Sequence, residues 1–238
     1  MEPAQLMRWL AALPYQRRVC VECGAGDAEV SYFMAEHFNL AIATDPCPPK
    51  SAYPVSTETP IGYVKCRAEN LPLPPDSVDM VVSMQALHHF NVARHLAEAH
   101  RVLSPGGIFA ALAWSNIELP IDVRGACDGF LSTIDPFWEP ERSWAVSGYA
   151  GLAFCGEKVE LPYAVMCRTV PMEELIKLFR GWSAYRAGQQ DCSNALQTAR
   201  ANLLRLGRSD IIISWRIVGQ VFRKTGSLSR IPDVNRPT

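Results

Sequence analysis

Through the first half of the chain, apolar runs of strand length alternate with longer stretches whose apolar residues recur at helical spacing. Glu2–Ala12 has the pattern of a short amphipathic helix closed by Pro14. Val19–Cys23 is a short buried strand, followed by Gly24, Gly26 and a helical stretch to Phe38. Asn39–Thr44 is a second strand ending at Asp45-Pro46, Ile61–Cys66 a third, and Val78–Met84 a fourth. Asn91–Leu103 carries Leu96, Ala99, Val102 and Leu103 on one helical face and ends in the turn Ser104-Pro105-Gly106-Gly107. Ile108–Trp114 is then a fifth strand. Near-continuous apolar strands separated by helices predict a mostly parallel sheet covered on both faces.

Beyond residue 115 the pattern changes. Residues 116–156 mix prolines, glycines and aromatics without a long period, and predict a helical or irregular insertion above the sheet. Lys158–Thr169 reads as a sixth strand, Met172–Trp182 and Ser193–Leu206 as helices, and Asp210–Lys224 as a long final strand. Cys47–Thr59 has too many prolines for a regular element, and the polar tail from Thr225 is expected to fray. No repeat or low-complexity tract interrupts the chain. A single domain over residues 1–238 is expected.

Composition narrows the class. The 238 residues are 48% apolar and 20% charged with a net charge of −1, which fits a globular chain with a proper core and excludes a disordered one. No run of 18 apolar residues and no secretory leader is recognisable, so no membrane span and a cytoplasmic location are expected. The eight cysteines lack framework spacing and are read as reduced thiols. One asymmetry survives the average. From Arg168 onward twelve Lys/Arg stand against five Asp/Glu, and arginine supplies 18 of the chain's 23 basic residues. That surplus is either a solvated face or a set of guanidinium groups offered to an acidic ligand.

The chemistry concentrates in Glu22-Cys23-Gly24-Ala25-Gly26-Asp27-Ala28, an acid at a strand end followed by two glycines entering a helix. Such a turn lets a ligand approach backbone amides at the positive end of a helix. The Gly-Lys-Ser/Thr of a P-loop is absent, and Glu29 stands where a dinucleotide site wants a small residue. An acid two residues before the first glycine instead suits the ammonium group of S-adenosylmethionine. Asp45, nineteen residues after Gly26, lies at the end of the second strand, where a carboxylate can accept both ribose hydroxyls. Ala68-Glu69-Asn70-Leu71-Pro72-Leu73 follows the third strand, where Leu71 can wall an adenine. All three lie at carboxyl ends of successive strands, the ligand-binding edge of open α/β sheets.

These segments, together with Asp76-Ser-Val-Asp-Met-Val, Gln85-Ala-Leu-His-His-Phe and Arg101-Val-Leu-Ser-Pro-Gly-Gly, resemble the class I S-adenosylmethionine-dependent methyltransferases over roughly residues 19–115. The nearest likeness is to the small-molecule branch that includes trans-aconitate methyltransferase, and Gly181-Trp-Ser-Ala-Tyr resembles that branch more weakly. The resemblance implies a Rossmann-like seven-stranded, mostly parallel α/β sheet with the last strand antiparallel and helices on both faces. It also implies a cofactor-binding core at 19–115 and a substrate-side region at 116–190. S-adenosyl-L-methionine would be held by Glu22, Gly24, Ala25, Gly26, Asp45, Pro46, Ala68, Glu69 and Gln85. Three departures stand out: Ala28 occupies a position where glycine is common, Arg67 replaces an acid, and His89 replaces a tryptophan.

Methyl transfer from a sulfonium needs an in-line nucleophile held close and dry, with a base only where that nucleophile must lose a proton. His88, after the fourth strand, is the expected catalytic residue: a base for a hydroxyl acceptor, a hydrogen-bond donor for a carboxylate. His89 is expected to point away. Trp182, Tyr185 and Arg186 are expected to frame the acceptor. Cys20 and Cys23 are read as core or loop filler, and no metal site is expected among the histidines. The expected activity is methylation, preferably on oxygen, of a small and carboxylate-bearing metabolite or natural-product intermediate. The alternatives are a tRNA or protein methyltransferase and a cofactor-binding protein without transfer activity. Neither a nucleic-acid partner nor a membrane is expected, and the oligomeric state is not encoded legibly.

Overall fold

The computed structural model describes residues 1–47 and 60–226, so most of the irregular Cys47–Thr59 stretch and of the polar tail lies outside the described residues. The chain divides into two compact units. The first comprises Met1–Trp114, Trp144–Ala164 and the chain from Ile217; the second comprises Ser115–Ser143 and Val165–Arg216.

The first unit is built on strands β1 (Val19–Cys23), β2 (Leu40–Asp45), β3 (Ile61–Lys65), β4 (Val78–Met84), β5 (Leu103–Trp114) and β6 (Glu157–Val159). With the second half of β8 (Asp210–Arg223) they form a path in the order β3-β2-β1-β4-β5-β8-β6. Pairings among β1 to β5 are parallel, and β8 runs antiparallel to both β5 and β6. This is the Rossmann-like α/β sheet with a reversed last strand. Its path has seven strands, and an eighth, β7 (Ala164–Pro171), pairs with β8 off that path.

Alternation along the strands sends successive side chains to opposite faces. On one face Cys20, Met80, Val82, Ile108, Ala110 and Leu112 pack with Leu6 and Leu10 of α1 (Pro3–Ala12) and Met34 of α2 (Glu29–Ala35). On the other, Val21, Val81, Phe109, Ala111 and Ala113 pack with Ala99 and Val102 of α3 (Val92–Val102) and with Tyr149 and Phe154. Both faces are therefore dry, and the central strands need no polar alternation. The N-terminal edge of the sheet is pinned by Asp79. Its buried carboxylate accepts the Arg18 backbone N–H at 2.7 Å and the Arg18 guanidinium at 3.1 and 2.7 Å.

The second unit is helical. It holds α4 (Ile121–Ile134), α6 (Met172–Gly181), α7 (Ser183–Ala187) and α8 (Gln189–Arg205), while α5 (Glu141–Val146) straddles the division. Val123, Cys127, Phe130 and Ile134 recur at three- and four-residue steps along α4, and Cys192, Leu196, Ala199 and Leu203 do so along α8. Leu175, Ile176 and Phe179 of α6 complete this core.

Three expectations need correction. The single strand at Lys158–Thr169 is two strands, β6 and β7, because Pro162 in the linking residues offers no N–H to a ladder. The Ser104–Gly107 turn lies within β5: Val78 pairs with Leu103 and Met80 with Ile108, so these four residues bulge from a continuous strand. The helix expected from Ser193 begins at Gln189.

Asp79→Ala should destabilise the fold by about 2–3 kcal/mol, because three N–H donors of Arg18 lose a charged acceptor. Urea denaturation of the variant checks this, and an unchanged midpoint would remove Asp79 from its pinning role.

Candidate active site

The carboxyl ends of β1, β2, β3 and β4 carry the predicted segments, and short backbone bonds lock them together. Gly24 and Ala25 both donate their N–H to the Thr44 carbonyl, at 2.9 and 3.0 Å, while the Thr44 hydroxyl returns a bond to the Glu22 carbonyl at 2.8 Å. Gly26 N–H donates to Asp45 Oδ2 at 3.0 Å, and Cys47 N–H to Oδ1 at 2.8 Å. Gly24 sits at φ +70°, and a Cβ there would lie 2.5 Å from the Ala86 methyl carbon. Glycine at this position thus permits both the turn and the close approach of the segment after β4.

Among the described residues these ends enclose a cleft of about 240 Å³ lined by Gly24, Asp45, Pro46, Arg67, Ala68, Glu69, Gln85, Ala86, His89 and Phe90. Six expected cofactor residues (Gly24, Asp45, Pro46, Ala68, Glu69 and Gln85) therefore meet at one opening. Ala25 and Gly26 shape the turn beneath it without lining it.

Residues 21–111 match the methyltransferase domain family. Across 229 residues the chain is 22% identical to a protein of Dictyostelium discoideum named as a methyltransferase, covering 93% of this chain and 80% of that one. An uncharacterized methyltransferase of Mycobacterium tuberculosis is 34% identical over 119 residues, which is 48% of this chain and 46% of that one. A solved structure from Anaeromyxobacter dehalogenans, described as a type II methyltransferase, matches with a TM-score of 0.81 at 28% identity, over 94% of this chain and 98% of that one. These likenesses, on a fold of the class I kind, support S-adenosylmethionine-dependent methyltransferase activity for this chain.

The cleft of this methyltransferase suits that cofactor chemically. Asp45 spends one lone pair of each oxygen on Gly26 and Cys47, which leaves acceptor capacity for hydroxyl groups. Glu69 gives Oε1 to the Asn91 N–H at 2.7 Å, at the start of α3. Gln85 holds φ +56°, with its N–H on the Leu112 carbonyl at 2.9 Å, so backbone strain accompanies its place in the cleft wall. Arg67, in the acid's usual place, lines the same wall. Leu71 does not: it is 2% exposed within the core, and its N–H is held by Glu98 at 2.7 Å.

Glu22 is 3% exposed and lies outside the cleft lining. Its Oε2 accepts both the Ser31 N–H at 2.8 Å and the Ser31 hydroxyl at 2.6 Å, tying β1 to α2. Burial pushes its carboxyl up to about 7, against the pull of Ser31. Ala28 heads α2 in the left-handed region at φ 62°, which costs a non-glycine residue about 1–2 kcal/mol. The ordinary backbone angles that would make alanine harmless there are absent.

After β4 a 3-10 turn, Leu87–His89, sets the two histidine rings 4.0 Å apart. The structure reverses their expected placement, since His89 lines the cleft while His88 Nδ1 lies 3.2 Å from the Tyr149 hydroxyl. With three residues per turn, successive side chains of a 3-10 helix stand about 120° apart, so the two rings reach different partners. Tyr149 is fully buried, which pushes its phenol up and keeps it protonated.

Three residues of α3 escaped the sequence reading. His95 donates from Nδ1 to the Ala68 carbonyl at 2.9 Å, and burial pushes its imidazole down, so it stays neutral. Glu98 takes the Leu71 N–H, and Arg101 donates to the carbonyls of Leu73 at 2.8 Å and Leu71 at 3.1 Å. One helix thus fixes the loop that closes the cleft. The traces in the sequence are the spacing 95, 98, 101 and the place of Arg101 at the head of the Arg101-Val-Leu-Ser-Pro-Gly-Gly segment.

Of the expected acceptor frame, which belongs to the second unit, Trp182 packs against Trp138 at 5.3 Å and Tyr185 faces Phe130 at 6.3 Å, whereas Arg186 is exposed. Burial pushes the Cys20 and Cys23 thiols up, Cys23 to about 12, and all eight cysteines are free. Among the described residues no group of three His, Cys, Asp or Glu is placed to hold a metal, and no helix is long and apolar enough to cross a membrane.

The raised Glu22 carboxyl has a signed consequence. Between about pH 4.5, its ordinary value, and about 7 the folded state binds more protons than the unfolded one, so stability falls as pH rises through that window. Glu22→Gln keeps an acceptor for Ser31 and should lack this fall. The variant should gain on the order of 2–3 kcal/mol relative to wild type between pH 5 and pH 8. Parallel pH slopes of the two proteins in urea melts would contradict this.

Proposed function

We propose that this methyltransferase acts on a small, carboxylate-bearing metabolite or natural-product intermediate in the cytoplasm, transferring the methyl group to oxygen. The observation that carries the cofactor half is the Asp45 carboxylate, held at the tip of β2 beside the Gly24–Gly26 turn with lone pairs free toward the cleft. S-adenosyl-L-methionine supplies an electrophilic sulfonium methyl when bound. Asp45 takes the ribose hydroxyls. Ala68 and Glu69 border the adenine, Pro46 and Gln85 complete the walls, and Gly24, Ala25 and Gly26 offer close backbone. Glu22 acts by fixing the turn through Ser31.

A carboxylate acceptor needs no base. His88, oriented by Tyr149, then serves as a hydrogen-bond donor, and the adjoining His89 shields the reacting centre from water. Trp182, Tyr185 and Arg186 belong to the acceptor side of the protein, and the whole chain acts as one methyltransferase domain with residues 19–115 as its cofactor core. The likeness to the trans-aconitate branch supports a small acceptor through Gln85-Ala-Leu-His-His-Phe and Gly181-Trp-Ser-Ala-Tyr. The arginines argue the same way. Arg168, Arg200 and Arg208 are paired with Glu174, Glu173 and Asp122, so part of the C-terminal basic surplus is spent within the protein rather than offered to a nucleic acid.

Asp45→Ala should weaken S-adenosylhomocysteine binding by about tenfold or more, read by calorimetry, and label transfer from the methyl-labelled cofactor to an organic-acid panel should fall with it. Undiminished binding in the variant would displace the cofactor from this cleft. Wild-type transfer confined to RNA or protein would overturn the acceptor class.

A further inference from the structure

The second unit contains a cavity of about 430 Å³, within the range of small-molecule sites. Ile117, Leu131 and Ile134 give it apolar wall, and Trp138 and Trp182 give it aromatic wall, their rings 5.3 Å apart. Arg142 is its distinctive polar group. The guanidinium carbon lies 3.9 Å from the Trp138 ring centroid, and Nη2 donates to Asn116 Oδ1 at 2.8 Å. Stacking and the amide fix the guanidinium plane while leaving further N–H groups on its edge.

Among the described residues no carboxylate pairs with Arg142 within 4.0 Å, whereas Arg124, in the same wall, is paired with Asp128 at 3.4 Å. Burial pulls the Arg142 guanidinium down, against the nearby Asp135 and Glu139. A preorganised, half-buried guanidinium that no carboxylate holds in a direct ion pair keeps N–H donors for an incoming anion, and an arginine fork binds a carboxylate in two bonds. Two carboxylates, Asp128 and Asp135, also line the cavity, so a second or third negative charge on the ligand would meet repulsion.

We propose that this cavity binds an organic monoacid, its single carboxylate on Arg142 and its apolar body against the wall of Ile117, Leu131, Ile134 and Trp182. The proposal goes beyond the methyl-transfer reading above: this acid is a ligand of the second unit, held by Arg142, and the site takes a monocarboxylate in preference to a polycarboxylate.

The test titrates the full chain with cinnamate, indole-3-acetate, cinnamamide, phenyl phosphate and trans-aconitate, following tryptophan fluorescence and calorimetry. The two aryl monoacids should bind at least about tenfold more tightly than the amide and than trans-aconitate. Arg142→Gln should lose that preference, and Arg142→Lys should recover it only in part. S-adenosylhomocysteine titrated into each variant reports folding and the cofactor cleft. Normal cofactor binding with acid binding lost in Arg142→Gln supports the site. Failure of the cofactor to bind any form, with acid binding intact, faults the cofactor reading alone. Absence of monoacid binding to wild type, equal binding of acid and amide, an unaffected Arg142→Gln, or preference for the phosphate or the tricarboxylate overturns the proposal.

Discussion

The carbonyl of Thr44 is the point on which the cofactor cleft depends. By accepting the N–H groups of Gly24 and Ala25 it fastens the turn after β1 to the end of β2. That attachment sets Gly26 against Asp45, and it brings Gly24 so near Ala86 that no side chain fits between them. Three strand ends consequently act as one rigid rim. A rim of this kind suits a reaction whose barrier falls mainly through placement of the reacting atoms and exclusion of water. Flexibility at the Thr44 junction would loosen the acidic, glycyl and β4 contributions together.

Around that rim the protein uses neutral or internally satisfied groups wherever water is excluded. His95 stays uncharged beneath Ala68, Tyr149 stays protonated beneath His88, and Arg101 divides its donors between Glu98 and two loop carbonyls. The buried carboxylate of Glu22 is the exception, since its hydrogen bonds from Ser31 do not fully offset the cost of burial. Left-handed backbone at Ala28 and Gln85 adds strain at the same edge. The cleft is therefore locally costly, and the close-packed layers on both sheet faces sustain it.

Much of this was legible in the sequence because the relevant signals are local. Apolar runs marked all five parallel strands, and Glu22, Asp45 and Glu69 could be placed at strand ends by counting from glycines and prolines. What stayed hidden depends on long-range pairing. The bond from His95 to Ala68 spans 27 positions, and His88 meets Tyr149 across 61. The β5 bulge also escaped, since Ser-Pro-Gly-Gly carries the same turn chemistry whether it ends a strand or swells one. Charge counting drew attention to the C-terminal arginines. Arg142, the guanidinium stacked on Trp138, lies in the acidic portion of the sequence, where a tally of charges gives no reason to look.

The insertion of β8 between β5 and β6 has a consequence for biosynthesis. Strands one to five emerge from the ribosome in an order that lets each join a neighbour already present or soon to follow, but β6 is translated before the strand on which it must dock. Until residues 217–223 arrive, the apolar Ile108–Trp114 stretch presents an open sheet margin. A nascent chain paused in that interval is the form most prone to edge-to-edge association, and chaperone engagement would matter most there.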